Sequence, residues 1–413
     1  MFNSLPLGIP QFGAPIGSPL FNTQSHQPPT LAPVKQDNTP PEIHLPRSIN
    51  YYADYSGCGF WRMIWPEHLL NAHHKAVVHG TTMMVLDERY YQNTKAVRVQ
   101  RQATESQLMF TKLLKDFQKR HNFRLIYEID DIVFHEDIPD YNRFKSAFTD
   151  PKIRECSNAI MREADEITVT CEFMKEYYIE KTGNKNITVI PNYPPKWWLG
   201  NFYDPKKIEE NYMKNKRKPR IVYAASGAHF DVDNRVGQKD DFHHVNDVIA
   251  KTVDKYQWVF VGAYPLTLTP LVKTGKIEFH NWQRLYDYPA LINSLRPNMM
   301  IAPLIDNTFN RAKSDLKHIE ASCLGVPIAC QDICTYKNAP IKFNNGDEMI
   351  DQISKTMKWV DDYMKASKAG RSTADTRWLE VDSNIDKYAE LYNYSYQSPE
   401  RKHLNSLEEN RVK

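Results

Sequence analysis

A chain of 413 residues, 41% hydrophobic and 25% charged, has length for two or three domains and the composition of a globular protein rather than a fibrous one. Its net charge of +3 does not by itself declare a polyanion partner. No apolar run approaches the roughly 18 residues that cross a bilayer, no basic-then-apolar secretory leader is visible, and six scattered cysteines lack paired zinc spacing, so we expect reduced thiols and a cytoplasmic protein.

Residues 1–49 carry ten of the 26 prolines, so the segment 1–47 cannot bury enough to fold alone. It still holds Leu5, Leu7, Ile9, Phe12, Ile16, Leu20 and Phe21, which leaves two readings, a plain tail or a tether that docks a partner protein.

Folded sequence starts near residue 48. Residues 54–70, which include Trp61 and Arg62, put Gly57 and Gly59 in a loop ahead of a helical stretch. A Gly-x-Gly loop lets backbone approach a ligand, though such pairs are also common in turns. AVVHG, TMMVL and VRVQ read as short strands, then Arg101 and a helix over 105–120 follow. Residues 123–134 form a strand ending in Glu128, Asp130 and Asp131. These acids suit acceptor or base work, a divalent ion held by hard oxygens, or a purely structural role. ITVTCEFM and ITVIPNY continue the strand–helix rhythm, which implies a parallel sheet covered on both faces.

The rhythm breaks over 194–220, where PPKWWLGNFYDP is irregular and a basic run covers 214–220. That run reads as a solvated linker or as a contact to a phosphate backbone. Trp61, Trp65, Trp197 and Trp198 read as core aromatics or as a platform for a base or sugar.

A second α/β unit opens with IVYAA and the turn at Ser226 and Gly227. The motif His229-x-Asp231-x-Asp233, with His243 and His244 nearby, reads as a metal set or as a loop over a ligand. Residues 240–256 are expected to be helical, WVFVGAY a strand over 258–264 that carries Gly262, and NMMIAPL a strand leading into 309–327, FNRAKSDLKHIEASCLGVP. At about 100° per residue, Lys313, Lys317 and Glu320 fall on one face of the helix expected there. Two lysines, Ser314 and a helix start suggest a phosphate seat, with Glu320 accepting from a ribose. The alternative is a solvated amphipathic helix. Asn310 and Arg311 precede the helix, and Arg311 reads as taking a phosphate bidentately or as a surface arginine. The expected organisation is a tail at 1–47, doubly wound Rossmann-like units at 48–200 and 220–370 with a linker at 201–219, and a final helix and frayed end at 371–413. Ligands in such sheets bind at the carboxyl ends of the strands.

The motifs GCGFWRMIWP, YEIDDIVF, ITVIPNYPPKWW, WVFVGAY, IEFHNWQRLYDYP and IAPLIDNTFNRAKSDLKHIEASCLGVP resemble those of GT-B fold glycosyltransferases of the retaining group called family 4. The resemblance covers roughly residues 50–395 and is greatest to a phage and bacterial branch. It implies a nucleotide-sugar donor on the second unit, contacted by Ser226, Gly227, Gly262, Asn310 and Arg311, with Lys313, Ser314 and Lys317 on the diphosphate and Glu320 on the ribose. It implies no metal cofactor. It places the acceptor on the first unit near Gly57, Gly59, Arg62, Arg101 and Asp130, with Lys313, Lys317, Asp130 and Asp131 as the candidate catalytic groups. The family's usual second acid, eight residues before Glu320, is Ala312 here, so either Asp306 stands in or the sugar is held differently. The phage-like branch and the basic run favour double-stranded DNA with hydroxymethylated pyrimidine as acceptor. A glycan or lipid-linked acceptor, a non-catalytic scaffold, and a metal-dependent nuclease or phosphatase on Glu128, Asp130 and Asp131 are the alternatives.

Overall fold

Among the described residues, twelve strands form two six-stranded sheets, and every strand pairing is parallel. The structure is a computed structural model that describes residues 47–135, 137–237 and 239–393. Of the tail expected at 1–47, residues 1–46 lie outside the described residues, as does the frayed end beyond 393, and Arg47 opens the first strand instead. Both sheets belong to one compact unit.

The first sheet holds β1 (Arg47–Tyr51), β2 (Val77–Thr81), β3 (Thr94–Gln100), β4 (Arg124–Glu128), β5 (Glu166–Val169) and β6 (Ile187–Val189), in the order β2-β1-β3-β4-β5-β6. The second holds β7 (Arg220–Ala225), β8 (Gln257–Gly262), β9 (Glu278–Asn281), β10 (Met299–Ala302), β11 (Ile328–Gln331) and β12 (Ile341–Phe343), in the order β12-β11-β10-β7-β8-β9. That second order is the Rossmann one, with its reversal between β7 and β10; the first sheet reverses between β1 and β3. Strands such as IVYAA and WVFVG are apolar on both sides because helices cover both faces.

The core of the first sheet contains a buried ion pair cluster. Arg62 Nε donates to Glu128 Oε1 at 2.6 Å, and Arg98 and Thr168 donate to the other carboxylate oxygen. Burial pushes the Glu128 carboxyl up, but the two guanidiniums overcome it and hold it below the usual range. The last described helix, Asp382–Asn393, returns from the second sheet to the first. Tyr392 donates to Asn50 on β1 at 2.9 Å, and Lys75 reaches Asp386 at 2.6 Å.

Several local expectations are corrected. Gly57–Gly59 is not a loop but the first turn of a helix that runs through a π-helical segment, Phe60–Ile64, into Trp65–Ala72. TMMVL forms no strand beyond Thr81. Within 240–256 only Asn246–Lys251 is α-helical, because the Asp240 carboxylate captures the Phe242 N–H and turns the chain, and the strand expected over 258–264 ends at Gly262. The stretch 201–219 contains a helix, Pro205–Asn215, capped by Asp204. Its basic run lies exposed at the amino end of β7, whereas the strand ends that face the cleft lie at the carboxyl end, about 17–20 Å away along a strand of that length. The run therefore does not line the cleft.

Candidate functional site

The helix Leu316–Leu324 follows a short helical turn, Thr308–Arg311, after β10. Lys313 therefore precedes the helix instead of sharing its face with Lys317 and Glu320, because the chain kinks through Ala312–Asp315. The kink separates the two lysines. Lys317 turns back to the β7 end, where its Nζ donates to Ala224 O at 3.2 Å and lies 5.2 Å from the Tyr223 ring centre. Burial lowers its pKa to about 8. Lys313 turns across to the first sheet, with Nζ 4.2 Å above the Phe309 ring and 3.5 Å from Asp131 Oδ2. Glu320 accepts from the Tyr288 hydroxyl at 3.1 Å, and burial raises its pKa to about 7 against the opposing pull of Lys317.

Ser314 accepts from Asn192 Nδ2 at 3.0 Å, and Asn192 in turn takes a hydrogen bond from Arg62 at 3.0 Å. Arg377 clamps the same corner, donating to Asn192 O and to Asp315. The lysine-bearing loop of the second unit is thus fixed to the end of β6 in the first.

On the first unit, Arg101 leaves β3 with φ +47 and pairs with Asp130 at 2.6 Å. A left-handed, non-glycine residue at a strand end is a strained conformation of the kind that clusters at ligand sites. The Cys58 thiol hydrogen-bonds Asp130, and burial foremost pushes that thiol up. Gly57–Gly59, Arg101 and Asp130 are therefore neighbours. Gly59 has a structural reason: a Cβ there would lie 1.9 Å from Asp54 O. Gly57 has open space around it.

Four sequence readings are corrected by their surroundings. Arg62 is fully buried between Glu128, Ile190 O and Asn192, so it holds the core and not an acceptor. Glu128 is sealed by two arginines while Asp130 faces Arg101 and Asp131 faces Lys313, so the three acids do not converge on one ion. Asn310 is fully buried, donating to Tyr141, Asp241 and Ile305 O, and is structural. Arg311 and Asp306 bind each other bidentately at 2.6 and 2.8 Å on the surface, which occupies both the proposed phosphate arginine and the proposed stand-in acid.

Ser226 caps the turn Gly227–His229 by accepting from Ala228 N at 3.3 Å, and Gly227 lies against Arg143 of the first unit. Gly262 has φ +92, and a Cβ would lie 2.4 Å from Ala225 O, so its role is the close approach of β8 to β7. The residues His229, Asp231 and Asp233 do not form one ligand set. His229 pairs with Asp241, Asp231 accepts from the Arg235 and Val236 N–H groups, and Asp233 pairs with Arg235. Among the described residues no group of three or more His, Cys, Asp or Glu is arranged to hold a metal ion. Tyr288, Asn192, Asp241 and Tyr141 were not legible as site residues, because each has a partner that lies far away in sequence.

No protein-family model matches the chain, and no curated protein matches it. Solved structures do. Anabaena Alr3699/HepE in complex with UDP and glucose is 13% identical, covering 84% of this chain and 99% of that one with a TM-score of 0.55. The same protein in complex with UDP is 10% identical at a TM-score of 0.56, covering 84% and 98%. An alpha-glucosyltransferase in complex with UDP and a 13-mer DNA containing an HMU base is 11% identical, covering 84% and 99% with a TM-score of 0.52. At such identities the likeness speaks for the fold, and with two Rossmann-like sheets whose carboxyl strand ends face one another, the chain belongs to the GT-B fold.

Proposed function

We propose that this protein is a retaining glycosyltransferase that moves a sugar from a nucleotide-sugar donor to a hydroxyl acceptor. One observation carries the reading: Lys313, Ser314, Lys317 and the Glu320–Tyr288 pair meet where the order of the second sheet reverses, opposite Asp130 and Asp131. Lys313 and Lys317 meet the charge that grows on the departing diphosphate. Glu320 accepts from ribose hydroxyls, as the resemblance implies. The bond from the anomeric carbon to phosphate oxygen breaks, and the bond to the acceptor oxygen forms on the same side. A phosphate oxygen takes the acceptor's proton. Arg101, Asp130 and the Gly57–Gly59 turn form the acceptor side, and Asp131 faces the diphosphate lysine. Lys313, Lys317, Asp130 and Asp131 are the groups we assign to the reaction. No metal is required by this scheme.

For the acceptor we favour a hydroxymethylated pyrimidine in double-stranded DNA. The support is the fold likeness to a glucosyltransferase solved with HMU DNA, and an aromatic platform beside the acceptor turn. Trp197 and Tyr286 stack 6.1 Å apart at 14°, Phe60 meets Tyr286 edge-on at 5.3 Å, and 43% of Trp197 and 59% of Tyr286 are exposed. Such faces stack bases irrespective of sequence. The expected site of action is the cytoplasm, with residues 1–47 recruiting a partner. The test is mass spectrometry of hydroxymethylated duplex and of a glycan mixture after incubation with a panel of nucleotide sugars. A mass gain on the duplex is expected. Gain on the glycans alone overturns the DNA acceptor, and neither transfer nor release of nucleoside diphosphate overturns the enzyme.

A further inference from the structure

We propose that His229 binds a hydroxyl of the donor's sugar through Nε2, as a hydrogen-bond acceptor that selects the sugar; this rests on the donor assignment above. His229 ends the turn that leaves β7, at the point where the second sheet reverses. Its Nδ1 lies 2.7 Å from Asp241 Oδ2. Asp241 is fully buried, and its other partners all donate: the Tyr141 hydroxyl at 2.8 Å, Asn310 Nδ2 at 2.7 Å and the Ile305 N–H at 3.0 Å. A carboxyl group surrounded by donors is a carboxylate, so the hydrogen of this pair sits on Nδ1. Burial pushes the Asp241 carboxyl up, and these partners, His229 first, bring it below the usual range.

Nε2 then carries a lone pair, and it has no hydrogen-bond partner among the described residues. The ring does not gain a second proton at neutral pH. Burial and the Lys317 and Lys313 cations hold its pKa near about 4 against the pull of Asp241. The ring centre lies 6.5 Å from that of Tyr223, above which Lys317 Nζ sits. His229 therefore borders the phosphate seat but has the wrong chemistry for phosphate, whose oxygens only accept. A neutral nitrogen there needs a donor from the ligand. The ribose hydroxyls are assigned to Glu320, which leaves the hydroxyls of the transferred sugar. A site built to pair with a hydroxyl rejects analogues that lack it, because its own polar group is left unpaired.

The test is calorimetric titration of the full chain with UDP and with UDP-glucose, UDP-galactose, UDP-xylose and UDP-N-acetylglucosamine. It compares the wild type, His229→Ala and His229→Gln. The tightest sugar nucleotide should weaken roughly fivefold to tenfold in His229→Ala while UDP changes less than about twofold, the scale of one neutral hydrogen bond. His229→Gln, whose amide oxygen reaches the place of Nε2, should recover most of the loss. One monodeoxy version of that sugar nucleotide should lose affinity for the wild type and lose nothing further in His229→Ala. Equal losses for UDP and the sugar nucleotide, or deoxy penalties that persist unchanged in His229→Ala, overturn the assignment of His229 and leave the donor seat standing. A wild type that binds neither UDP nor any of the sugar nucleotides overturns the donor seat itself, and this proposal with it.

Discussion

Lys313 Nζ of the second unit lies 3.5 Å from Asp131 Oδ2 of the first, so the lysine assigned to the donor's diphosphate already holds an anion from across the cleft. Both side chains are about one-fifth exposed, at 18% and 22%. Such a pair is modest in strength, about 0.5–1 kcal/mol, and a diphosphate competes with it. Asp131→Asn should therefore bind UDP more tightly, by roughly twofold to fivefold on that scale. Lys313→Ala should bind it less tightly, and the double variant should match Lys313→Ala. Calorimetric titration checks all three. Unchanged UDP affinity in Asp131→Asn would show that the carboxylate and the phosphate do not share the lysine.

With Lys317 in the proposed donor seat, UDP binding should depend on pH. With its pKa lowered to about 8 by burial, the free site loses the ammonium as pH rises through that value. Affinity for UDP should rise gently up to about pH 7.5 as Glu320 ionises, and fall above pH 8, approaching tenfold per unit. Lys317→Arg keeps its charge throughout and should flatten the fall, while Lys317→Ala should weaken binding at every pH by roughly tenfold to a hundredfold, the range of a charged hydrogen bond. A wild-type curve that stays flat to pH 9.5 contradicts the lysine's role.

The fold was legible in the sequence because buried parallel strands are written as continuous apolar runs such as IVYAA and WVFVG, and strand alternation with helices leaves few topologies. That Lys317 and Glu320 share a helix was legible for a similar reason, since the apolar period runs unbroken through Leu316–Leu324. What failed depended on residues far apart in sequence. Nothing near Arg62 announces that Glu128 and Asn192 will enclose it. Nothing near Asn310 announces Tyr141 and Asp241. The Lys313 error had a local cause: helical periodicity was extended through Ala312–Asp315, where the chain kinks so that Lys313 can reach Asp131.

Glu320 should release a proton when donor binds. Burial raises its pKa to about 7, so at pH 6.5 most empty sites carry a neutral carboxyl. Ribose hydroxyls donate best to a carboxylate, which lowers that pKa on binding. UDP titrations at pH 6.5 in buffers of different ionisation enthalpy should show net release of a fraction of a proton, reduced in Glu320→Gln. Identical proton counts in the two proteins would place the ribose elsewhere. The affinity itself should drop by roughly fivefold or more in Glu320→Ala, since accepting hydrogen bonds are lost.

Glu128 is a stability residue. Glu128→Gln leaves Arg62 and Arg98 buried without a countercharge, which costs about 3–5 kcal/mol by analogy with other broken buried pairs. Its carboxyl is held below the usual range in the folded state, so the stability it supplies is present above the unfolded pKa and is lost as pH falls through the folded one. Thermal melts should show a large loss for Glu128→Gln at pH 7, and a smaller difference from wild type under acid conditions. A variant that melts like the wild type at pH 7 would mean that the two arginines find other partners.

Ala312 occupies the position where the resemblance calls for an acid, and its surroundings say why no acid is there. It is fully buried in the same apolar cluster as Phe309 and the first unit's Ile129 and Ile132. Its carbonyl faces the Cys171 thiol at 3.5 Å. The side chain thus contributes to the contact between the two units and does not open onto the phosphate seat. An acid introduced there meets apolar neighbours, and a carboxylate buried without a partner costs several kcal/mol. Ala312→Glu should lower the melting temperature by about 5 °C or more, given that about 1 kcal/mol corresponds to a few degrees in a chain of this size. Ala312→Ser should change it little. UDP-glucose affinity should not improve in Ala312→Glu. A tighter donor complex in that variant, at an undiminished melting temperature, would mean that the kink before Leu316 opens and that the family's acid position faces the sugar after all.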